Sequence, residues 1–161
     1  MKILVLSDSH GDSVSCKLAI QRNADAEYLI HLGDGEDDID FIYPELRDMK
    51  LVRVRGNCTW FGTAALKYIL EAAGKHIYCC HGHMERVKDG LDGLTAAARA
   101  EKCDVALYGH THVQDHHRVG DLVILNPGSV RGGKYAVMEI GGDGEISARL
   151  MDLNDAPPGN S

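Results

Sequence analysis

Lys2-Ile3-Leu4-Val5-Leu6-Ser7-Asp8-Ser9-His10 is the stretch on which the fold turns. Lys2 to Leu6 reads as a buried strand, and the apolar run ends at once in a carboxylate and an imidazole two residues apart. The same arrangement recurs along the chain. Tyr28 to Leu32 runs into Gly33-Asp34, Leu51 to Arg55 into Gly56-Asn57, His76 to Cys80 into His81-Gly82-His83, and Val105 to Tyr108 into Gly109-His110-Thr111-His112. In open α/β sheets the functional crevice lies outside the carboxyl ends of the strands. Two carboxylates, an Asn amide and several imidazoles at five strand ends therefore predict one metal site assembled in space.

Between these strands the pattern is helical. Ser13 to Arg22 is expected as a helix with Val14, Leu18 and Ala19 inward, and Asp37 to Leu46 as a second, carrying Ile39, Ile42 and Leu46 at helical spacing behind an acidic first turn. Strands alternating with helices at this spacing predict βαβ units and a largely parallel sheet. Leu66 to Glu71 and His76 to Cys80 read as a hairpin through Ala73-Gly74-Lys75, followed by an Ala-rich helix over Leu91 to Lys102. After Val113 only strands and turns are expected: Val113 to His117, Leu122 to Leu125, Lys134 to Ile140 and Glu145 to Met151. The fold class is α/β, a four-layer α/β/β/α sandwich of two mixed sheets flanked by helices.

A chain of 161 residues with 44% hydrophobic and 25% charged residues suits one domain, placed at residues 1–153, with a loose tail over 154–161 that carries Pro157, Pro158 and Gly159. The net charge of -7 argues against sequence-independent nucleic-acid binding, which needs cations on phosphates. The apolar start is broken by Ser7, Asp8 and His10 too early for a signal peptide, and no run approaches a membrane span, so a cytoplasmic location is expected. Cys16, Cys58, Cys79, Cys80 and Cys103 form no CxxC pair and read as reduced thiols. Cys79 and Cys80 are expected on opposite faces of one strand.

The local chemistry is consistent with cation binding. Asp8 and His10 can reach one ion from one loop, while Gly33 lets backbone approach closely beside the Asp34 carboxylate, whose two oxygens can bridge two cations. Asn57 offers a neutral amide oxygen, which limits negative charge at the site. His110 and His112, directly after an apolar strand, are costly to place without partners. His31, His76, His116 and His117 read as packing, strand and turn residues, and Arg131 and Lys134 as charges following a turn.

In the order Asp-x-His, Gly-Asp, Gly-Asn, His-Gly and Gly-His-x-His, the chain resembles the calcineurin-like metallophosphoesterase superfamily, and within it the small YfcE-type phosphodiesterase branch, over residues 1 to 153. The resemblance implies Asp8, His10 and His112 on one metal, Asn57, His81 and His110 on the other, and Asp34 bridging both. It implies hydrolysis of phosphate esters, with diesters preferred, by a hydroxide between the metals. Asp34, Asn57 and His110 would be the catalytic residues, His110 also reaching a phosphate oxygen, and Asn126-Pro127-Gly128-Ser129 would lie beside the metals. Four imidazoles among these ligands disfavour magnesium and calcium. Two transition-metal ions are expected, Mn2+ first and Ni2+, Fe2+ or Zn2+ after it.

One departure stands out. The wider superfamily has Gly-Asn-His followed by an acid where this chain has Gly56-Asn57-Cys58-Thr59; Cys58 is typical of the small branch, and Thr59 replaces an acidic residue often found there. A leaving-group acid at this position is therefore absent; His83, two residues beyond His81, could substitute, with a supporting or structural role the favoured reading. The partners expected are a small phosphate-ester substrate and, through an edge strand between Leu122 and Met151, a second copy of the chain. The alternative to an enzyme is a metal-binding protein-interaction scaffold, the use a retromer subunit makes of this fold.

Overall fold

The computed structural model describes residues 1–58 and 63–157. Its elements follow in the order β1 (Lys2–Leu6), α1 (Ser13–Arg22), β2 (Tyr28–His31), α2 (Glu36–Ile42), β3 (Lys50–Arg53), β4 (Lys67–Ala72), β5 (Lys75–Cys80), α3 (Asp92–Ala100), β6 (Val105–Leu107), β7 (Asp115–Val119), β8 (Leu122–Asn126), β9 (Lys134–Ile140) and β10 (Ile146–Asp152). Short 3₁₀ turns cover Tyr43–Leu46 and Val130–Gly132. The strands form two five-stranded sheets, ordered β10-β9-β1-β2-β3 and β4-β5-β6-β8-β7. In the first, β1, β2 and β3 are parallel while β9 and β10 run antiparallel. In the second, β5, β6 and β8 are parallel and β4 and β7 close the edges antiparallel.

The period of two along each strand builds the layers. In β1, Ile3 and Val5 point between the sheets and meet Ile77, Leu107 and Leu125, whereas Leu4 and Leu6 point outward to Cys16, Ala19, Ile20 and Ile39 of the first two helices. On the far side Tyr78, Cys80, Ala106 and Ile124 pack on Leu94 and Ala98 of α3. Cys79 lies in the intersheet core and Cys80 in the outer one, as their adjacency demands. All five cysteines are free.

Several boundaries differ from the sequence expectation for identifiable reasons. Val14 is 67% exposed and Leu18 43% exposed, so neither faces inward; Cys16, Ala19 and Ile20 do. The Asp12 carboxylate caps the helix by accepting from Ser15 N–H at 2.9 Å, which sets its rotation, and the small Cys16 and Ala19 side chains allow close approach to the sheet. The helix expected over Asp37 to Leu46 begins at Glu36 and changes to a 3₁₀ turn after Ile42. Pro44 has no N–H with which to continue the α ladder. β7 starts at Asp115 instead of Val113 because the loop persists: Val113 N–H is held by the Thr111 hydroxyl at 3.3 Å.

After β8 a short 3₁₀ helix, Val130–Gly132, joins the strands and turns expected there. The expected tail begins with a hydrogen-bonded turn, Asp155 N–H to the Asp152 carbonyl, and Arg22 donates to the Asp155 carbonyl. Pro158 and Gly159 lie outside the described residues, as does Thr59. Of the strands between Leu122 and Met151, β8 and β9 are interior and β10 is an edge.

Candidate metal centre

All five donor-bearing segments leave the carboxyl ends of parallel strands, and the sandwich brings those ends together. The donor atoms form two adjoining groups. In the first, His112 Nε2 lies 3.1 Å from Asp8 Oδ1 and 3.3 Å from His10 Nε2, itself 3.5 Å from Asp8 Oδ1. In the second, His81 Nε2 lies 2.9 Å from Asn57 Oδ1 and 3.1 Å from His110 Nδ1. Asp34 Oδ2 stands between them, 3.2 Å from His81 Nε2 and 3.9 Å from His10 Nε2. Every one of the seven residues expected from sequence is at this locus. Three overlapping sets of side chains here can hold an ion: Asp8, His10 and His112; Asp8, Asp34 and His81; and His10, Asp34 and Cys58.

The protonation pattern identifies what belongs in the middle. His81 is fully buried and its Nδ1 donates to the Leu32 carbonyl at 2.8 Å, which leaves a lone pair on Nε2 of the neutral ring. That lone pair faces the acceptors Asn57 Oδ1 and Asp34 Oδ2, with His110 Nδ1 at 3.1 Å. A proton or a metal ion on Nε2 satisfies this convergence. Burial alone would lower the His81 pKa, but the Asp34 hydrogen bond and the charges of Asp8 and Asp34 raise it, so a proton and a metal compete for the same lone pair. The donor set, of mixed imidazole, amide and carboxylate character, fits divalent metal binding.

The backbone is bent to make this site. Asp8, His10, Asp34, His110 and His112 have φ values of 54°, 43°, 59°, 69° and 60°, the left-handed region in which a side chain costs roughly 1–3 kcal/mol. Strain of this kind concentrated at donor residues marks a functional locus. It persists because neighbouring groups over-determine the loops. Ser7 Oγ donates to Asp8 Oδ2 at 2.6 Å and His110 N–H to the same oxygen at 3.0 Å. Cys58 N–H donates to Asp34 Oδ1 at 2.8 Å. Burial works to raise the Asp34 pKa, but the His81 and Cys58 hydrogen bonds outweigh it and hold the carboxyl well below its usual range. Ser129 Oγ donates to the Asp8 carbonyl at 2.8 Å, which places the Asn126-to-Ser129 loop beside the site as expected. Asn126 spans the imidazole loop, donating to the Gly109 carbonyl and the Thr111 hydroxyl.

Two buried acids contribute that sequence reasoning assigned only to a helix start. Glu36 Oε1 accepts from Gly56 N–H at 2.8 Å, and Asp38 Oδ2 from Gly11 N–H at 2.9 Å, so the first turn of α2 pins two donor loops. Their signal in sequence was only a run of acids directly after Gly33-Asp34. His31, also buried, connects to the same network: its Nε2 donates to Ser9 Oγ at 3.0 Å while Nδ1 accepts from Gly33 N–H at 3.2 Å.

A protonated His31 would turn an N–H toward that N–H, and burial moves its pKa from the ordinary 6.5 to about 4. Below pH 6.5 the unfolded chain takes up this proton before the folded chain does, so stability is full above that pH and is lost as pH falls toward 4. Between pH 7 and pH 5 the metal-free protein is expected to lose about 2 kcal/mol through His31. Urea unfolding of wild type and His31→Gln at the two pH values checks this; a parallel loss in both would assign the effect elsewhere.

His83 and Cys58 line the same locus. The His83 ring centroid lies 5.5 Å from that of His81 and 6.2 Å from that of His110, and its buried Nδ1 has no hydrogen-bond partner among the described residues. Burial and the adjacent His81 lower its pKa, as they lower that of His110. The Cys58 thiol is pushed up by desolvation and by Asp34. Lys134 pairs with Asp152, and His117 with Asp115 at 2.7 Å.

Comparison with known proteins places the chain in a family. The calcineurin-like phosphoesterase superfamily domain matches residues 1–143. The chain belongs to that superfamily. It is 30% identical over 132 residues to YsnB of Bacillus subtilis, described as a probable metallophosphoesterase, covering 81% of this chain and 76% of that one. A solved structure from Streptococcus pneumoniae, described as a predicted phosphoesterase, superposes with a TM-score of 0.76 at 26% identity, covering 94% of this chain and 97% of the other. Vps29 of Entamoeba histolytica in complex with zinc has the same fold, with a TM-score of 0.71 at 21% identity and coverage of 96% and 100%.

Proposed function

We propose that the chain is a two-metal-dependent phosphodiesterase of small substrates, with Asp8, His10 and His112 holding one ion, Asn57, His81 and His110 the other, and Asp34 shared between them. The observation that carries this reading is the set of lone pairs converging on His81 Nε2, with Asp34 Oδ2 set between the two donor groups. When bound, a metal pair lowers the pKa of an intervening water and neutralises charge on the phosphoryl group. The two carboxylates cancel only half the charge that two dications bring, which leaves the locus attractive to an anionic ester. Asn57 keeps that balance by donating a neutral oxygen. The imidazole-rich set favours Mn2+ first and Ni2+, Fe2+ or Zn2+ next.

The remaining residues position the substrate and donors. His110, its pKa lowered by burial and by His81, would donate its remaining ring N–H to a phosphate oxygen once its Nδ1 is engaged. No group at Cys58 can serve as the acid that a poor leaving group needs. Turnover is therefore expected to fall steeply as leaving-group pKa rises, because positioned acid catalysis is worth roughly 10² to 10⁴ in rate. His83, its pKa lowered by burial and by His81, is read as supporting the site rather than supplying that acid. His83→Ala is expected to lower kcat/KM by the same factor across aryl esters of rising leaving-group pKa; a loss that grows along the series would make His83 the acid.

Among the described residues no helix is long and apolar enough to cross a membrane. A cytoplasmic enzyme without sequence-independent nucleic-acid binding fits the acidic chain, and β10 is the edge through which copies would pair. The test is hydrolysis of bis-p-nitrophenyl phosphate and of p-nitrophenyl phosphate by metal-stripped protein resupplied with manganese. Metal-dependent turnover, faster on the diester, is expected. Absence of turnover with manganese, iron, zinc or nickel in protein that binds those ions would favour a scaffold, the alternative that the shared fold with Vps29 keeps in view.

A further inference from the structure

We infer that a cavity beside the metal centre is a recognition subsite for a second phosphate group on the diester substrate, read by Arg131. The cavity, about 480 Å³, is lined by His10, His112, Ser129, Arg131, Gly132 and Lys134. Its lining therefore includes two of the donors proposed for the first ion and two cationic side chains. A volume in this range takes a group of nucleoside or sugar size. A substrate with its scissile phosphoryl group at the metals can extend into this lined space on the His10 and His112 side.

The charges in the cavity are unequally committed. Lys134 is paired with Asp152. Arg22, Arg53, Arg86, Arg99, Arg118 and Arg149 are each held by a carboxylate or a carbonyl. Arg131, like Arg47, has no hydrogen bond or ion pair among the described residues, although the chain carries 24 acids against 17 basic residues, and of these two it is Arg131 that lines the space beside the donors. Its backbone is nevertheless anchored: Val130, the preceding residue, is fully buried, and its N–H donates to the Ser7 carbonyl at 3.0 Å, one residue from Asp8. Arg131 thus presents an uncommitted guanidinium from a fixed base at the edge of the site. Its planar fork suits two phosphate oxygens at once.

This inference rests on the phosphodiesterase reading, and the experiment separates the two. Wild type and Arg131→Ala are compared on bis-p-nitrophenyl phosphate, on the p-nitrophenyl ester of thymidine 5′-phosphate, and on the same ester carrying a 3′-phosphate. Independently of turnover, binding of thymidine 3′,5′-bisphosphate and thymidine 5′-phosphate to manganese-loaded protein is measured by calorimetry. The 3′-phosphate is expected to raise kcat/KM in wild type roughly ten- to hundredfold, chiefly through KM, and to tighten binding similarly. Arg131→Ala should erase both gains and leave bis-p-nitrophenyl phosphate within about twofold, since that diester makes no such contact. No gain from the 3′-phosphate in wild type, or an equal loss on all three esters in the variant, would overturn the subsite while leaving the phosphodiesterase intact. Failure of all three esters would sink the enzyme reading, and the calorimetry would still decide the subsite.

Discussion

Asp34→Asn is expected to reduce metal-dependent turnover of bis-p-nitrophenyl phosphate more than about 100-fold, beyond the 10- to 100-fold that loss of a partner outside the ligand sphere costs. The wild-type carboxylate uses both oxygens: Oδ1 accepts from Cys58 N–H at 2.8 Å, and Oδ2 faces His81 Nε2 at 3.2 Å and His10 Nε2 at 3.9 Å. An amide cannot do the same. Whichever way it turns, its NH2 group meets either the Cys58 N–H or the position a cation would occupy. The variant should therefore also bind fewer ions, while retaining the sheets, whose cores Asp34 does not enter. Turnover and ion content near wild type would show that Asp34 is not the shared residue.

Gly56→Ala should have an effect of the same order by a purely steric route. A Cβ at Gly56 would overlap Asp34 Oδ1 and lie 2.7 Å from Asp34 Cγ. The Cβ also overlaps the Asp34 backbone N, so the Asp34 carboxylate and the backbone that carries it both have to move, against the bond from Gly56 N–H to Glu36 at 2.8 Å. A displacement of about 1 Å at a reacting centre costs on the order of 100-fold in rate. Gly142→Ala serves as the control, since a Cβ there meets nothing within 4 Å. Equal activity in the two variants would show that the Asp34 position tolerates displacement, contrary to the geometry.

Much of this was legible before any coordinates. Apolar runs ending in Asp8, Asp34, Asn57, His81 and His110 carry both the strand pattern and the donors, and a parallel strand delivers its carboxyl end to one edge. The alternation of Cys79 and Cys80 across a strand was equally direct. What sequence did not show depends on burial and on three-dimensional neighbours. Val14 and Leu18 match a helical stripe, but the Asp12 cap and the small Cys16 and Ala19 turn a different stripe to the sheet. Glu36 and Asp38 look like acids at a helix start, and only the fold places Gly56 and Gly11 against them. The left-handed backbone at five donor residues has no signature in composition, since aspartate and histidine there replace the glycine usually found. Arg131 reads as one more surface cation until the cavity beside His10 and His112 is seen.

The most direct test of the central claim is a count of ions against activity. Metal-stripped protein is titrated with manganese while bound metal and hydrolysis of bis-p-nitrophenyl phosphate are followed together. Two ions per chain, with activity rising only as the second is bound, is the predicted result. Saturation at one ion, or two bound ions without hydrolysis, would contradict a binuclear phosphodiesterase built on these five strand ends.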